Sequence, residues 1–345
     1  MAKKLEQVST KLQDTLERMN KKYGEGTILS LGSRKEDYDI IPTGSIAFDH
    51  ISLGVGGWVR GKLYELMGWE GSGKSTVCGH AVAECQKKGW KAFYIDSENA
   101  VDIGYFKKLN VNVNELLIVQ VSNGEEGFNI AEELIKTGEF ALGILDSDNG
   151  LIPKSVIEDG DIGDSSIGKK ARLNSQAYPR LKNVLSEHNT CMIVVSQYRE
   201  KIGVMFGPST TTQGGHALKF TTDGRIEISK SLAKDGDQVY GNTTKIKCIK
   251  NKMSAPFLLC SFEIVFGKGI DKIKEIIELA SEFEVIRKWG KTITVYGKQG
   301  QETKFPEDEY KKSLENSLVF DALKELVIEK LKNADIKVEE LTEIE

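Results

Sequence analysis

Gly68 to Thr76, GWEGSGKST, fits the spacing G-x-x-x-x-G-K-[ST] at every position. That spacing is a device for holding phosphate. Gly71 and Gly73 let the backbone curl until its N–H groups point inward at phosphate oxygens. A helix beginning near Lys74 adds the positive end of its dipole. In such a loop the lysine, here Lys74, reaches the β- and γ-phosphates, and the hydroxyl of Ser75 ligates Mg²⁺. Gly68, Glu70, Ser72 and Thr76 complete the segment that would wrap ATP. Average residue frequencies put a chance match in a chain of this length at about 1%. The alternative is a glycine-rich turn without a ligand, and the motif's place after a buried strand and before a helix argues against it.

Two carboxylates lie at comparable places. Asp146 ends the apolar run of LGILDSDNG. Alone, an aspartate there is a turn or helix-cap residue; paired with a phosphate loop, it is placed to hold Mg²⁺ through water. Glu98 lies just past the run Lys91–Asp96, where strand ends of a parallel sheet converge on a ligand. It could polarise an attacking water, or it is a solvated loop glutamate. Position alone leaves both open.

The elements that must position these groups alternate along the chain. Apolar strands are predicted at Leu63–Met67, Lys91–Asp96, Leu116–Val121, Leu142–Asp146 and Cys191–Ser196. Helical patterns fall at Lys74–Lys88, Gly104–Leu109, Gly124–Thr137 and Lys169–Glu187. Strands apolar almost throughout, separated by helices, indicate a parallel sheet covered on both faces. After Leu218 the texture changes to glycine-punctuated strands, Gly224–Ser229, Thr243–Ile249 and Leu258–Phe266, which read as antiparallel additions. Helical periodicity returns from Asp271 to Leu279 and near Leu318–Leu331. Residues 3–22 place Leu5, Val8, Leu12, Leu16 and Met19 on one helical stripe, which must fold back on its own domain or dock on a neighbouring subunit.

The chain has 345 residues, enough for one large and one smaller domain with a substantial core. Five cysteines lack zinc-like pairing and read as reduced packing residues; the four histidines show no metal-ligand spacing. No apolar run approaches the ~18 residues of a bilayer span, and the N-terminus reads as an amphipathic helix rather than a signal peptide. A cytoplasmic protein without membrane partners is expected.

Net charge is −4, so overall charge predicts no nucleic acid partner. Local charge differs. Between Lys169 and Lys182 there are five basic residues and no acidic one. Lys245 and Lys247, alternating on a predicted strand, face one side with Lys250 and Lys252 close by. Such a row could track phosphates or could blunt a solvated strand edge. Residues 158–168 and 198–215 are rich in Gly, Ser and Thr, and each carries an isoleucine, Ile167 or Ile202. Loops of this kind are often disordered until a ligand arrives.

Several long segments, in order, resemble the bacterial RecA recombinase family. KIGVMFG at Lys201–Gly207, followed by TTTQGGHALKF, resembles its second DNA-binding loop, and EDGDIGDSSIG at Glu158–Gly168 its first. KNKMSAPF at Lys250–Phe257 and TGSIAFD at Thr43–Asp49 match as well. The resemblance implies an α/β fold: a RecA-type P-loop ATPase core, mostly parallel sheet flanked by helices, with an N-terminal helix and a small α+β C-terminal domain. The divisions would be 1–33 for oligomerisation, 34–268 for the core with its two loops, and 269–345 for the small domain with an acidic tail.

It also implies roles. Glu98 matches the catalytic glutamate, Gln197 the glutamine that senses the γ-phosphate, and Asp102 and Tyr105 the adenine contacts. Lys250 and Lys252 match lysines that reach ATP on the adjacent subunit. Arg172, Arg199, Lys201, Gly214 and Gly215 match positions near the DNA backbone, and Ile167 and Ile202 match residues inserted between base triplets. Lys230, Lys245 and Lys247 match a secondary DNA site. The implied partners are single-stranded DNA, homologous duplex DNA, further copies of the chain in a helical filament, and repressor and loader proteins, although no motif reads as a contact for these last two. The implied function is ATP-dependent pairing and strand exchange in recombination and repair. The competing readings are an ATP-binding DNA filament with little hydrolysis, which Glu98 argues against, and a motor or regulatory ATPase of the same fold, which the two loops argue against.

Some positions depart from the family pattern. Trp69 and Gly71 stand where Pro and Ser are usual, Asp148 and Asn149 replace small apolar residues, and Ser229 replaces an arginine. Phe266 stands where a tyrosine near the nucleotide is common, and Glu200 puts a negative charge in the second loop. Pro179, inside the basic helical stretch, should kink or restart the helix. Altered rather than lost DNA affinity is expected, and the departures fit a phage-encoded relative as well as a bacterial one. The tail VEELTEIE carries four glutamates and no base, and reads as a mobile competitor for basic surface.

Overall fold

The structure, a computed structural model, describes residues 10–24, 38–158, 167–200, 210–212, 216–296 and 301–334, with the backbone alone at 10, 11, 167, 200 and 210–212. Residues 1–39 and 40–345 are two compact units. In the first, α1 (Thr10–Tyr23) carries the second half of the predicted stripe, and Leu12 and Met19 on it stand 48% and 39% exposed. Leu5 and Val8 lie outside the described residues.

The second unit opens with a small antiparallel pair, β1 (Ile40–Ile41) and β2 (Trp58–Val59). The predicted alternation follows: β3 (Leu63–Gly68), α2 (Lys74–Lys87), β4 (Lys91–Asp96), α3 (Ile103–Lys108), β5 (Leu117–Gln120), α4 (Gly124–Lys136) and β6 (Phe140–Asp146). After a single 3-10 turn at Asp148–Gly150 come α5 (Lys154–Glu158), α6 (Ile167–Glu187) and β7 (Cys191–Glu200), which runs on past Ser196. Next are β8 (Thr210–Thr212), α7 (Ala217–Thr221), β9 (Gly224–Asp235), β10 (Gln238–Asn251), β11 (Leu259–Val265) and β12 (Gly269–Ile270). The chain closes with α8 (Lys272–Glu282), β13 (Ile286–Trp289), β14 (Thr292–Tyr296), β15 (Glu302–Pro306), α9 (Glu307–Ser313) and α10 (Ser317–Asn333).

The central sheet runs β12-β11-β10-β9-β3-β7-β6-β4-β5, with β8 antiparallel on the end of β7. From β9 to β5 all neighbours are parallel. The antiparallel additions therefore begin at β10, not at Gly224 as expected: β9 lies parallel to β3, with Tyr64 opposite Gly224 and Gly68 opposite Ile228. The connection through α7 carries the chain back to the starting end of β3 before β9 sets out.

Side chains divide by parity between two apolar clusters. On β4, Ala92 and Tyr94 join one cluster and Phe93 and Ile95 the other; on β7, Cys191, Ile193 and Val195 alternate with Met192 and Val194. Val77 and Ala81 of α2 belong to the first cluster, and Phe128 of α4 with Tyr178 and Leu181 of α6 to the second. Both faces of the parallel strands are thus covered, which is why their sequences are apolar throughout. The edge strand β5 leaves Leu117 and Ile118 exposed, and β9 leaves Leu232 exposed beyond its pairing with β3. All five cysteines are buried and free.

One further expectation changes. α6 does not restart at Pro179; the helix continues through it, and the proline withdraws the donor that Ser175's carbonyl would otherwise receive. The C-terminal block holds a three-stranded antiparallel sheet, β13-β14-β15, the β part of the small α+β domain that the resemblance implied. Its neighbours α8 and α10 contribute Ile276, Leu279, Val327 and Leu331 to the same apolar cluster as Trp58 and Val77. Among the described residues no helix is long and apolar enough to cross a membrane.

Candidate active site

The C-terminal ends of β3, β4, β6 and β7 lie side by side, with Gly68 opposite Gln197 and Asp96 opposite Asp146. A cavity of about 420 Å³ opens there. It is lined by Glu70, Gly71, Gly73, Lys74, Ser75 and Thr76 of the phosphate loop, and by Glu98, Asp102, Tyr105, Asp146 and Gln197. Gly68 and Ser72 stand behind this wall. A Cβ on Gly68 would meet the Ile228 carbonyl oxygen at 2.3 Å, so only glycine fits.

The loop is shaped for an anion. Gly71 and Gly73 take left-handed φ values of 65° and 99°, and α2 begins without a side-chain cap on its first N–H groups. The Ser72 hydroxyl is buried without a hydrogen-bond partner. Lys74 Nζ donates to the carbonyls of Gly68 and Trp69 at 3.0 and 2.7 Å, lying over the loop. Burial pushes its pKa below the ordinary value, while Asp146 and Glu98 oppose the shift. These unmet donors fit the phosphates of a nucleotide.

Ser75 Oγ donates to Asp146 Oδ2 at 2.7 Å, and Tyr94 OH donates to the same oxygen at 2.6 Å. Burial raises the Asp146 carboxyl above its usual range, against these two hydrogen bonds. A hydroxyl and a carboxylate brought together beside the loop lysine are the donor set of a phosphate-bound Mg²⁺.

Glu98 is exposed but held by hydrogen bonds. Its Oε1 accepts from Gln197 Nε2 at 3.0 Å and from Ser147 Oγ. Asp96 receives the backbone N–H groups of Glu98, Ala100 and Val101 at 3.0–3.2 Å, which fixes the turn carrying Glu98. Asp102 caps α3 by accepting from Tyr105 N at 3.1 Å, and the Tyr105 hydroxyl meets Thr76 Oγ1 at 2.9 Å. Sequence reasoning missed Tyr94, Asp96 and a wall supplied by Asn242, Ile264 and Gly267. Phe266, the departure noted above, lines the same wall and is 54% exposed.

The basic residues divide. Lys250 and Lys252 stand at the opposite end of β10 from Asn242 and do not line the cavity of their own chain. Lys250 donates to the carbonyls of Lys219 and Phe220, and Lys252 lies 3.3 Å from Asp223. Lys230 is opposite Thr244 across the strands, whereas Lys245 is opposite Ser229 and Lys247 opposite Glu227. Lys230 therefore points to the other face from Lys245 and Lys247, and its Nζ donates to Gly71 O at 2.8 Å. Arg172 and Arg199 are exposed. Of the other expected DNA residues, Lys201, Ile202, Gly214 and Gly215 lie outside the described residues, and Ile167 is described by backbone alone as the first residue of α6. The ends of the second loop are ordered by pairing: Tyr198 opposite Thr212 and Glu200 opposite Thr210.

A lysine-bearing loop at the head of a helix, set against a strand-end aspartate, places the chain among the P-loop nucleotide-binding proteins. Comparison narrows this. Residues 10–271 match the RecA N-terminal domain. Protein RecA of Porphyromonas gingivalis is 46% identical over 281 residues, covering 81% of this chain and 82% of that protein. Protein RecA of Bacteroides thetaiotaomicron is 47% identical, covering 81% and 84%. Protein RecA of Bacillus thuringiensis is 43% identical, covering 81% of each. The chain belongs to the RecA family, the ATP-dependent recombinases of DNA recombination and repair.

Proposed function

We propose that this chain forms a helical filament on single-stranded DNA, hydrolyses ATP in the cavity at the strand ends, and thereby drives homologous pairing and strand exchange with duplex DNA. The observation that carries this reading is the Glu98–Gln197 hydrogen bond. It ties the group placed to polarise water to the strand that runs directly into the second DNA loop. Ser75 and, through water, Asp146 would hold Mg²⁺, which would supply neutralisation of the developing phosphate charge. Lys74 and the loop amides hold the phosphates, and Tyr105 and Asp102 hold the adenine. Phosphoryl transfer needs little beyond positioning and charge, and these residues provide both.

Lys250 and Lys252, far from their own cavity, serve the cavity of the neighbouring subunit. Nucleotide between subunits then stabilises the filament, and hydrolysis loosens it. The exposed stripe of α1 fits docking on that neighbour. Arg172, Arg199, Lys201, Gly214 and Gly215 hold the DNA backbone, while Ile167 and Ile202 separate base triplets, leaving base edges free to test pairing. Lys245 and Lys247 face the second strand. Lys230, on the other face and donating to the Gly71 carbonyl, is set apart from them.

The test is ATP hydrolysis with and without single-stranded DNA, in wild type and Glu98→Gln. Strong stimulation by DNA, reduced by about 10²–10⁴ in Glu98→Gln, is the expected result. Hydrolysis indifferent to DNA would favour a motor or regulator; ATP-dependent DNA binding without hydrolysis would favour a passive filament.

A further inference from the structure

After β6 the chain turns through Asp148–Gly150, and Asp148 is fully buried there. A carboxylate in such a place must be met by donors, because an unpaired buried charge is costly. Among the described residues, all its side-chain donors come from one face of α6. Asn174 Nδ2 lies 3.2 Å from Oδ1, the Tyr178 hydroxyl donates to the same oxygen, and Lys170 Nζ lies 3.6 Å from Oδ2. Positions 170, 174 and 178 are one helical turn apart, so this face is built as a unit. Lys170 also donates to the carbonyls of Asp148 and Asn149.

The turn presents its next residue to the active site. Asn149 Oδ1 accepts the backbone N–H of Gln197 at 3.1 Å, and Gln197 Nε2 donates to Glu98 at 3.0 Å. A continuous chain of polar contacts thus runs from α6 through Asp148 and Asn149 to the group placed to activate water. At its other end α6 begins at Ile167, within the expected first DNA loop. Arg199, expected on the DNA backbone, lies close enough to Lys170 for the two cations to act on one another. Asp148 and Asn149 are the residues that depart from the small apolar pair of the resembling family.

We propose that Asp148, Asn149, Lys170 and Tyr178 are positioning residues that hold Gln197 and Glu98 in register with α6, so that DNA on the start of α6 sets the hydrolysis rate. This rests on the reading of the chain as a DNA-dependent ATPase. The physical basis is a buried, satisfied polar network, which tolerates few alternative arrangements and so transmits displacement between its ends.

The experiment uses the full chain and three variants: Tyr178→Phe, Asp148→Ala, and Asp148→Ala combined with Lys170→Ala. Hydrolysis is followed against ATP concentration with and without poly(dT), together with poly(dT) binding and amide hydrogen exchange at Gln197 in the free protein. The expected result is a fall of about tenfold in stimulation by DNA, with the KM for ATP and the poly(dT) affinity within about twofold. Gln197 exchange should quicken in every variant. The double variant carries no unpaired charge and should recover thermal stability without recovering stimulation; recovery of both would reduce the cluster to a structural role and overturn the proposal. Wild-type stimulation in Tyr178→Phe and in the double variant would do the same. Wild type indifferent to DNA would defeat the reading of the protein instead, and Gln197 exchange would then judge the relay, unchanged rates overturning it.

Discussion

In the nucleotide cavity Ser75 is held by Asp146, Gln197 by Glu98 and Lys74 by the loop carbonyls, and the uncapped start of α2 offers donors suited to an anion. Along α6 a run of bases equally conspicuous in sequence is arranged otherwise. Lys170 meets Asp148, Arg180 meets Glu132 at 2.8 Å, and Lys182 meets Asp223 at 2.7 Å. Arg172, between them, remains exposed. The difference teaches that a cluster of like charges is a binding footprint only after its internal partners are subtracted. The cavity passes that subtraction; most of the helix does not.

The largest effect should come from removing a base that is internally paired. Lys182→Ala leaves Asp223, nearly buried, with Lys252 as its remaining ion partner. A loss of about 2–3 kcal/mol in stability is expected, measured by denaturant unfolding, with DNA affinity little changed. A variant of normal stability and weakened DNA binding would break the comparison. The pH dependence sharpens it. Burial pushes the Asp223 carboxyl up, but Lys182, the Leu63 amide and Lys252 outweigh this and hold it below its ordinary value. Its stabilisation is therefore fully present above the unfolded value of about 4 and is lost as pH falls through the folded value. The Tm gap between wild type and Asp223→Asn should narrow on acidification below that value.

Next in size are the exposed bases. Arg172→Ala should weaken single-strand binding several-fold and flatten its salt dependence by about 0.7 in log–log slope, with stability within about 0.5 kcal/mol. Lys245→Ala should act likewise on the second, duplex-derived strand, and Lys230→Ala should not; equal effects would undo the division by strand face. The smallest effect belongs to the acidic tail, which lies outside the described residues. Removing Glu339–Glu345 should tighten duplex binding by about threefold at low salt. Unchanged affinity would show that the tail does not compete.

How much of this was legible follows from how local each signal is. The phosphate loop announces itself because its chemistry is contiguous, and the strand–helix alternation around it is periodic over long stretches. Asp146 and Glu98 were visible as strand-end carboxylates, but only the resemblance separated Glu98 from a solvated loop residue. The parallel course of β9 was hidden because direction depends on the crossover, not on composition. Lys230 was grouped with Lys245 and Lys247 because its facing depends on register against β10, which one strand's sequence does not contain. The resemblance implied strands in the C-terminal domain, but the residues did not place them at 286–306, because IRKW, TITVY and ETKFP are short and rich in charge and threonine, without a sustained alternation. Asn242 reached the cavity wall from a strand far along the chain, and nothing near it in sequence marks it.

The Asp148 cluster has a consequence for anyone who would build chimeras from this chain. Its carboxylate and its donors belong to segments separated by the expected first DNA loop, so neither half is portable alone. Replacing α6 by the equivalent helix of a relative with an apolar 148–149 pair would strand Asp148 in a hydrophobic wall; replacing the turn alone would strand Lys170. Grafts with their junctions inside that loop should express poorly, whereas those that carry residues 146–187 as one cassette should fold. The cluster thus sets where this protein can be cut and rejoined.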